Sequence, residues 1–212
     1  MLISFSGLDG SGKSEQVRFL KSWLDRNGIS NVVLYSRFGR NKLIGKLRDN
    51  FKKFCDYVYL KTGKKEQRKL FNMLFSIYII CSIIDIAIFY GIVYRWKSTK
   101  SSVILCDRYI WDSYVDFKIL CPQSSRWMNL LWGVVDTIAP KAAFSIFLSI
   151  PSGIAHDRDV SRNTYIEPME KVEARERIYE KLDRQKIWNL SIDGKLSRNV
   201  IHRYVLKELL GI

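Results

Sequence analysis

The stretch "ISFSGLDGSGKSEQ", Ile3 to Gln16, constrains this chain more than any other. Its core, Gly7-Leu8-Asp9-Gly10-Ser11-Gly12-Lys13-Ser14, satisfies G-x-x-x-x-G-K-[ST] at every fixed position. A short apolar run leads in and a helical pattern leads out, the strand–loop–helix setting in which such a loop cradles phosphates. Gly7 and Gly12 permit backbone conformations that other residues avoid, so successive N–H groups can point inward. Those donors, with the N-terminus of the next helix, hold phosphate oxygens. Lys13 reaches the β- and γ-phosphates, and the Ser14 hydroxyl ligates Mg²⁺. Gly10, Ser11 and Glu15 complete the candidate nucleotide-binding set. A glycine turn that holds no nucleotide is the plainer alternative.

The rest of the chain alternates short apolar runs with longer helical ones. Strands are predicted at Leu2–Ser6, Val32–Ser36, Val103–Cys106, Phe144–Ile150 and Trp188–Ile192. Val17, Leu20 and Leu24 recur at helical spacing, and Asn27–Gly28 supplies a stop. Such alternation gives a parallel sheet covered by helices. We therefore expect an α/β protein of the phosphate-loop (P-loop) class, with three layers, a five-stranded parallel sheet, helices on both faces and a lid segment. With 212 residues, 47% of them hydrophobic, a single domain over 1–212 is expected. The third apolar run ends in Asp107-Arg108. In open parallel sheets ligands gather beyond the carboxyl ends of strands. Asp107 there can join the Mg²⁺ shell, and Arg108 is a planar donor suited to a second phosphate. A strand-end turn with a surface salt bridge is the simpler alternative.

The net charge is +14. Lys and Arg crowd the segment from Arg37 to Lys69, where Asp49, Asp56 and Glu66 are the acids. Such a block is most often a solvated face; otherwise it suits a polyanion or an anionic membrane surface. A nucleic-acid partner is not expected. Met73–Tyr94, "MLFSIYIICSIIDIAIFYGIVY", carries one charge, Asp85, and is long enough to cross a bilayer. A central Asp costs about 2.5–3.5 kcal/mol, which the surrounding apolar residues can offset. Topology argues against a span, because it would put Lys13 and Asp107 on opposite sides of a membrane. Both flanks, "KKEQRK" and "RWKSTK", are basic, so neither is marked as inside. A helix apolar all round is then a buried one, in the core or between subunits. Cys55, Cys81, Cys106 and Cys121 form no CxxC pair and no zinc spacing, which fits reduced thiols. The chain opens on a strand, without a charged leader or cleavage site. We expect a cytoplasmic protein, peripheral at a membrane if the basic block binds one.

The motifs together resemble those of thymidylate kinases. "FSGLDGSGKS" is similar to that family's F-E-G-x-D-G-x-G-K-[ST] loop, and "LCDRYIWDS" to its D-R-Y-x-x-S-S segment. "PKAAFSIFLSIPSGIAHDR" resembles the family's P-D-L-T-x-Y-L-D-V-P-P-E-x-A-L-x-R strand and helix. "IDGKLSRNVIH" resembles the closing I-D-A/G segment. The matches are ordered and run from Ile3 to His202. The resemblance implies transfer of the ATP γ-phosphoryl group, with ATP and Mg²⁺ required. Gly12, Lys13 and Ser14 would bind ATP phosphates and Mg²⁺, Asp9 would approach the acceptor, and Arg108 would hold the acceptor phosphate. Arg37 stands where the family has a second arginine near the acceptor. Arg158 and Arg162 would belong to a lid at about 158–170, polar and loop-like in sequence, with a solvated helix end as the plainer alternative. One branch of the family carries Arg at the position of Gly10; without it, the lid arginines must supply that charge. The family also implies pairing through helices, hence a homodimer.

The departures fall on the acceptor side. Thymidylate kinases read the base with Phe and Arg from an L-L-F-[AS]-A-[DN]-R helix. Counting back from Asp107 puts Ser82 on that Phe and Ile86 on that Arg; a shift to Phe75 puts Ile79 on the Arg. Neither leaves an arginine. The family's A-Y-Q becomes Val115-Asp116-Phe117, and Asp116 and Trp111 are candidate acceptor contacts. A site lacking donors to a base rejects that base strongly. Three functions stay open: a nucleoside monophosphate kinase, with dTMP the first named acceptor; a kinase of a sugar phosphate, glycan or lipid-linked hydroxyl; and a nucleotide-binding adaptor with little turnover. His156 and His202 are expected at the surface or in packing rather than in catalysis.

Overall fold

The five predicted apolar runs form five parallel strands in the computed structural model, which describes residues 1–36, 64–121, 126–161 and 167–211. They are β1 (Leu2–Gly7), β2 (Asn31–Tyr35), β3 (Val103–Asp107), β4 (Phe144–Ser149) and β5 (Leu190–Asp193). Their order across the sheet is β2-β3-β1-β4-β5. The central strands β1 and β3 are buried nearly throughout, as sequences without polar alternation require when both faces are covered. The fifth strand starts two residues later than its apolar run, because Trp188 turns into the core and stacks on Phe147 at 4.4 Å.

Side chains alternate between the two faces of the sheet. Ile3, Phe5, Val103, Leu105, Ile146, Leu148 and Ile192 point to one face. There they meet Val17, Leu20 and Leu24 of α1 (Lys13–Arg26) and Ile201 and Val205 of α8 (Arg198–Leu210). Phe147 points to the other face, against Val115 of α4 (Ile110–Leu120), Ala155 of α6 (Ser152–Ser161) and Val172, Tyr179 and Leu182 of α7 (Met169–Arg184). The result is the expected three-layer α/β arrangement. At the end of α1 the chain turns through Gly28 at φ 67, a left-handed conformation suited to glycine.

Strand register brings the functional segments to one edge. Phe5 of β1 lies level with Asp107 of β3, and Gly7 lies level with Leu148 of β4. The chain passes from β3, on one side of β1, to β4 on its other side. Ligand crevices open at such a switch point, beyond the carboxyl ends of the strands.

The sheet and the helices on it form one compact unit, and α2 (Lys64–Ile88), a π-helical stretch (Phe89–Tyr94) and α5 (Arg126–Ile138) form another. In the second unit, Gly91 sits where a Cβ would come within 2.7 Å of Ile138 Cγ2. The aromatic rings of Phe89, Tyr90 and Tyr94 pack edge to face or tilted. Within the single chain the apolar segment is buried on one side, which leaves burial between subunits as the part of the expectation that these residues do not test. Ile79, Ile83, Ile86, Tyr90 and Tyr94 are buried, while Ile77, Ile84, Ile88 and Ile92 are exposed. Burial follows the helical period, but the residues on both faces are the same chemical type, so sequence carried no trace of the division. By length and composition alone Ser76–Ser98 is long and apolar enough to span a bilayer. Of the basic block, residues 37–63 lie outside the described residues, and the remainder begins α2.

The sheet core sets an expectation for stability. Ile146→Ala, at a site with no exposure, should cost about 2–5 kcal/mol through lost burial and the cavity left behind. Val33→Ala on the half-exposed edge strand should cost under about 1 kcal/mol. Urea titration checks both through the midpoint at constant slope; equal losses at the two sites would contradict this core assignment.

Candidate active site

The loop between β1 and α1 has the backbone that its three glycines predict. Gly7, Gly10 and Gly12 have φ of 144, 80 and 95. A Cβ on Gly7 would lie 2.5 Å from the Leu148 carbonyl oxygen, so β4 itself forbids a side chain there. Gly12 has open space around it, and its need for glycine comes from conformation alone. The Ser11 amide donates to the Leu8 carbonyl, and the Glu15 and Gln16 amides donate to the Gly12 carbonyl. The amides of Gly10, Gly12, Lys13 and Ser14 have no hydrogen-bond acceptor among the described residues. They stand at the start of a 14-residue helix, where the macrodipole favours an anion.

The Lys13 side chain folds back across the loop. Its ammonium donates to the carbonyls of Gly7 (2.8 Å) and Leu8 (2.5 Å) and to Ser11 Oγ (3.3 Å). Burial and the neighbouring Arg108 lower its pKa to about 8, against the opposing pull of Asp9, Asp112 and Asp107. Ser14 is exposed in the first turn of α1, and Glu15 accepts from Arg198 at 2.6 Å.

Arg108 follows β3 at φ 75, a left-handed conformation that a non-glycine residue adopts only when its surroundings hold it. Its amide donates to the Phe5 carbonyl at 3.1 Å, and its buried guanidinium pairs with Asp9 in the phosphate loop. Burial opposes the charge, but Asp9 and the nearby acids outweigh it and hold the pKa well above the usual arginine range. Beneath Arg108 lies Asp112, which is 1% exposed. Its Oδ1 accepts from the Tyr179 hydroxyl (2.7 Å) and the Gly7 amide (3.3 Å), and its Oδ2 from the Ser6 hydroxyl (2.7 Å) and the Tyr109 amide (3.0 Å). Burial, with Asp112 beside it, pushes the Tyr179 hydroxyl's pKa well up.

Asp116, one turn further along α4, is buried and pairs with Arg175 of α7. Arg175 also donates to Glu167 at 2.9 Å, and together the two acids raise its pKa despite burial. Trp111 packs edge-on against Tyr114 at 5.9 Å, beside the second hydrophobic cluster. Arg158 lies on α6, not on a loop: the expected lid segment is helical at both described ends, through Ser161 and from Met169. Its guanidinium donates to the carbonyls of Gly10 (3.0 Å) and Gly194 (3.3 Å). A Cβ on Gly10 would lie 2.9 Å from the Ala155 carbonyl and 3.3 Å from Arg158 Cβ. So α6 fills the space into which a residue-10 side chain would grow, and brings an arginine there instead. Gly10, Ser11, Gly12, Glu15, Arg158 and Arg198 line a cavity of about 330 Å³. Arg37 and Arg162 lie outside the described residues. His202 packs edge-on to Phe19 at 5.4 Å, and burial lowers its pKa.

The donor set fits Mg²⁺. Ser14 and Asp107, at the carboxyl edge of the sheet, offer one hydroxyl and one carboxylate, both hard oxygens. Mg²⁺ takes few protein ligands and completes its shell with water and phosphate oxygens. Sequence pattern had missed Asp112, Arg175, Glu167 and Tyr179. Asp112 left a trace, because it stands where D-R-Y-x-x-S-S has its first serine. Arg175 left none, because its partner Asp116 is 59 residues away in sequence.

The comparisons with known proteins agree with this geometry. The thymidylate kinase family model matches residues 5–205. The chain is 28% identical to a thymidylate kinase of Plasmodium falciparum over 99% of this chain and 90% of that protein. It is 27% identical to a thymidylate kinase of Kosmotoga olearia over 99% of this chain and 95% of that one. Among solved structures, a deoxyadenosine kinase from M. mycoides, determined with dCMP and dCDP as products, superposes with a TM-score of 0.66. That match covers 100% of both chains at 14% identity, a likeness of fold. A phosphate loop with free amides, a strand-end arginine paired with it, and a family match across nearly the whole chain lead to one conclusion: this chain belongs to the thymidylate kinase family and is a nucleotide kinase by that membership.

Proposed function

We propose that the protein transfers the γ-phosphoryl group of ATP to a nucleoside monophosphate, with dTMP the first acceptor to test, in the cytoplasm. One observation carries this reading: Asp9 of the phosphate loop pairs with Arg108 of the β3–α4 turn, which would bring the two ends of an in-line transfer to one contact. The amides of Gly10, Gly12, Lys13 and Ser14 and the Lys13 ammonium would bind the ATP phosphates. Ser14 and Asp107 would hold Mg²⁺, which would supply charge neutralisation for the phosphates. Arg108 would orient the acceptor phosphate, and Arg158 would add charge beside the loop. Arg37, Arg162 and a lid over 158–170 belong to the same proposal and would complete the enclosure and exclude water. Phosphoryl transfer asks for alignment and charge neutralisation more than covalent help, which is what this set of groups supplies. A homodimer formed through the apolar exposed side of α2 is part of the proposal.

A second reading keeps the chemistry and changes the acceptor to a sugar phosphate, glycan or lipid-linked hydroxyl. It draws on the ion pair of Asp116 with Arg175, which stands where the family has a tyrosine, and on Ile79, Ser82 and Ile86 where it reads a base.

Coupled assay of ADP release across a panel of monophosphates separates the two. Turnover of dTMP at about 1–100 s⁻¹ supports the first. ADP release only with a non-nucleotide acceptor replaces it with the second, and tight ATP binding without acceptor-dependent release leaves an adaptor.

Lys13→Ala should lower kcat by at least about a hundredfold with the circular dichroism spectrum unchanged. Near-normal turnover would remove Lys13 from the mechanism.

ATP affinity should fall as pH rises through about 8, where the Lys13 ammonium of the free enzyme loses its proton. The sign follows from charge: the protonated amine attracts phosphate, and above its pKa each pH unit removes about tenfold of that form. Calorimetric titration of ATP from pH 7 to 9 checks this, and Lys13→Met should bind more weakly at pH 7 and lose the slope. A wild-type affinity flat across that range would contradict the assignment.

A further inference from the structure

We infer that Asp112 is a positioning residue: one buried carboxylate that fixes the acceptor-side arginine, Arg108, in register with the first residue of the phosphate loop. This rests on the proposed roles of Arg108 and the loop, and it goes beyond them to a residue outside the loop motif, at a position where the D-R-Y-x-x-S-S pattern has serine.

Four observations converge on it. The carboxylate accepts from four donors on three separate segments: Ser6 and Gly7 at the end of β1, Tyr109 in the turn after β3, and Tyr179 on α7. It is 1% exposed, so each of those donors would lose its partner, with no water to replace it, if the oxygen were removed. Its bond from the Tyr109 amide closes the turn directly after Arg108, the residue held at φ 75. Backbone strain of that kind persists only where neighbouring contacts over-determine it. Last, Asp112 Oδ1 lies 3.9 Å from Arg108 Nη1, while Asp9 takes Nη2 of the same guanidinium.

The two carboxylates therefore do different work. Asp9 is on the loop and half exposed, within reach of an incoming acceptor. Asp112 is enclosed and touches nothing that could be substrate; it ties the Gly7 amide and the Arg108 turn to one atom group. A shift of either segment relative to the other must break a hydrogen bond at Asp112. A serine at this position, as in the family pattern, has one oxygen where four donors converge, so it could not serve them all. In this chain the distance between the phosphate loop and the acceptor arginine is set by a charge rather than by a hydroxyl.

The test is a double-mutant cycle of Asp112→Asn with Arg108→Ala, measured as the KM of the monophosphate that the wild type turns over best. Asp112→Asn alone should raise acceptor KM about tenfold, and in the Arg108→Ala background it should add less than about twofold, because the group it positions is gone. Full additivity, or an unchanged KM with only a lower melting temperature, would overturn the inference and leave Asp112 a purely structural residue. Hydrogen exchange on the same protein needs no substrate. In Asp112→Asn the segments around Gly7 and around Tyr109 should exchange faster together while α8 stays as in the wild type; protection retained in either segment would overturn the inference too. If the wild type turns over no acceptor, the proposed function fails, and hydrogen exchange alone decides the positioning claim. Should Asp112→Asn fail to fold, Tyr179→Phe removes one of the four donors and should show the same paired change at smaller size; no change in either segment would count against Asp112.

Discussion

Four backbone amides, of Gly10, Gly12, Lys13 and Ser14, stand at the head of α1 without a protein acceptor among the described residues. Everything else in the site is arranged around that constraint. Left-handed glycine conformations at positions 7, 10 and 12 shape the loop, the helix dipole adds to the field of the amides, and the Lys13 ammonium lies across the same loop. A cluster of donors with so few acceptors favours an anion. Beside it, the Arg108 guanidinium extends the positive field, and Asp9 keeps it from repelling Lys13 outright.

The buried acids of α4 obey a different logic. Asp112 and Asp116 lie one helical turn apart on α4, both buried, and each is answered from α7, by Tyr179 and by Arg175. Breaking one partner of such a pair leaves an uncompensated group in a low-dielectric interior, which costs far more than the pair contributes. These residues therefore fix the spacing of α4 and α7. Glu167 joins the same cluster from just before α7, so the segment leading into that helix is tied to Asp116 through a single arginine.

Much of the fold was legible because its signals are local. Each strand is a short apolar run bounded by polar residues, and the phosphate loop sits where motif and strand–helix context agree. The loop's partner was legible as well, since Asp107-Arg108 ends a buried strand, and strand ends face the ligand edge. What escaped was non-local or ambiguous. The exposed stripe of Ile77, Ile84, Ile88 and Ile92 looks the same in sequence as the buried stripe beside it, so periodicity had nothing to read. Arg158 was assigned to a lid by the family resemblance, and it lies on a helix whose backbone crowds Gly10. Asp112 went unread as a departure from the serine of the matched motif, because most of its donors come from β1 and α7, far away in the chain.

The central claim is that the loop amides and Arg108 form one phosphate-binding surface. Amide nitrogen–proton NMR spectra during titration with ATP and Mg²⁺, then with a monophosphate, test it most directly. The account predicts that ATP shifts the Gly10, Gly12, Lys13 and Ser14 amides first, and that the monophosphate then moves the Arg108 and Tyr109 signals. Shifts confined to other parts of the sheet edge, with those six signals unmoved, would contradict it.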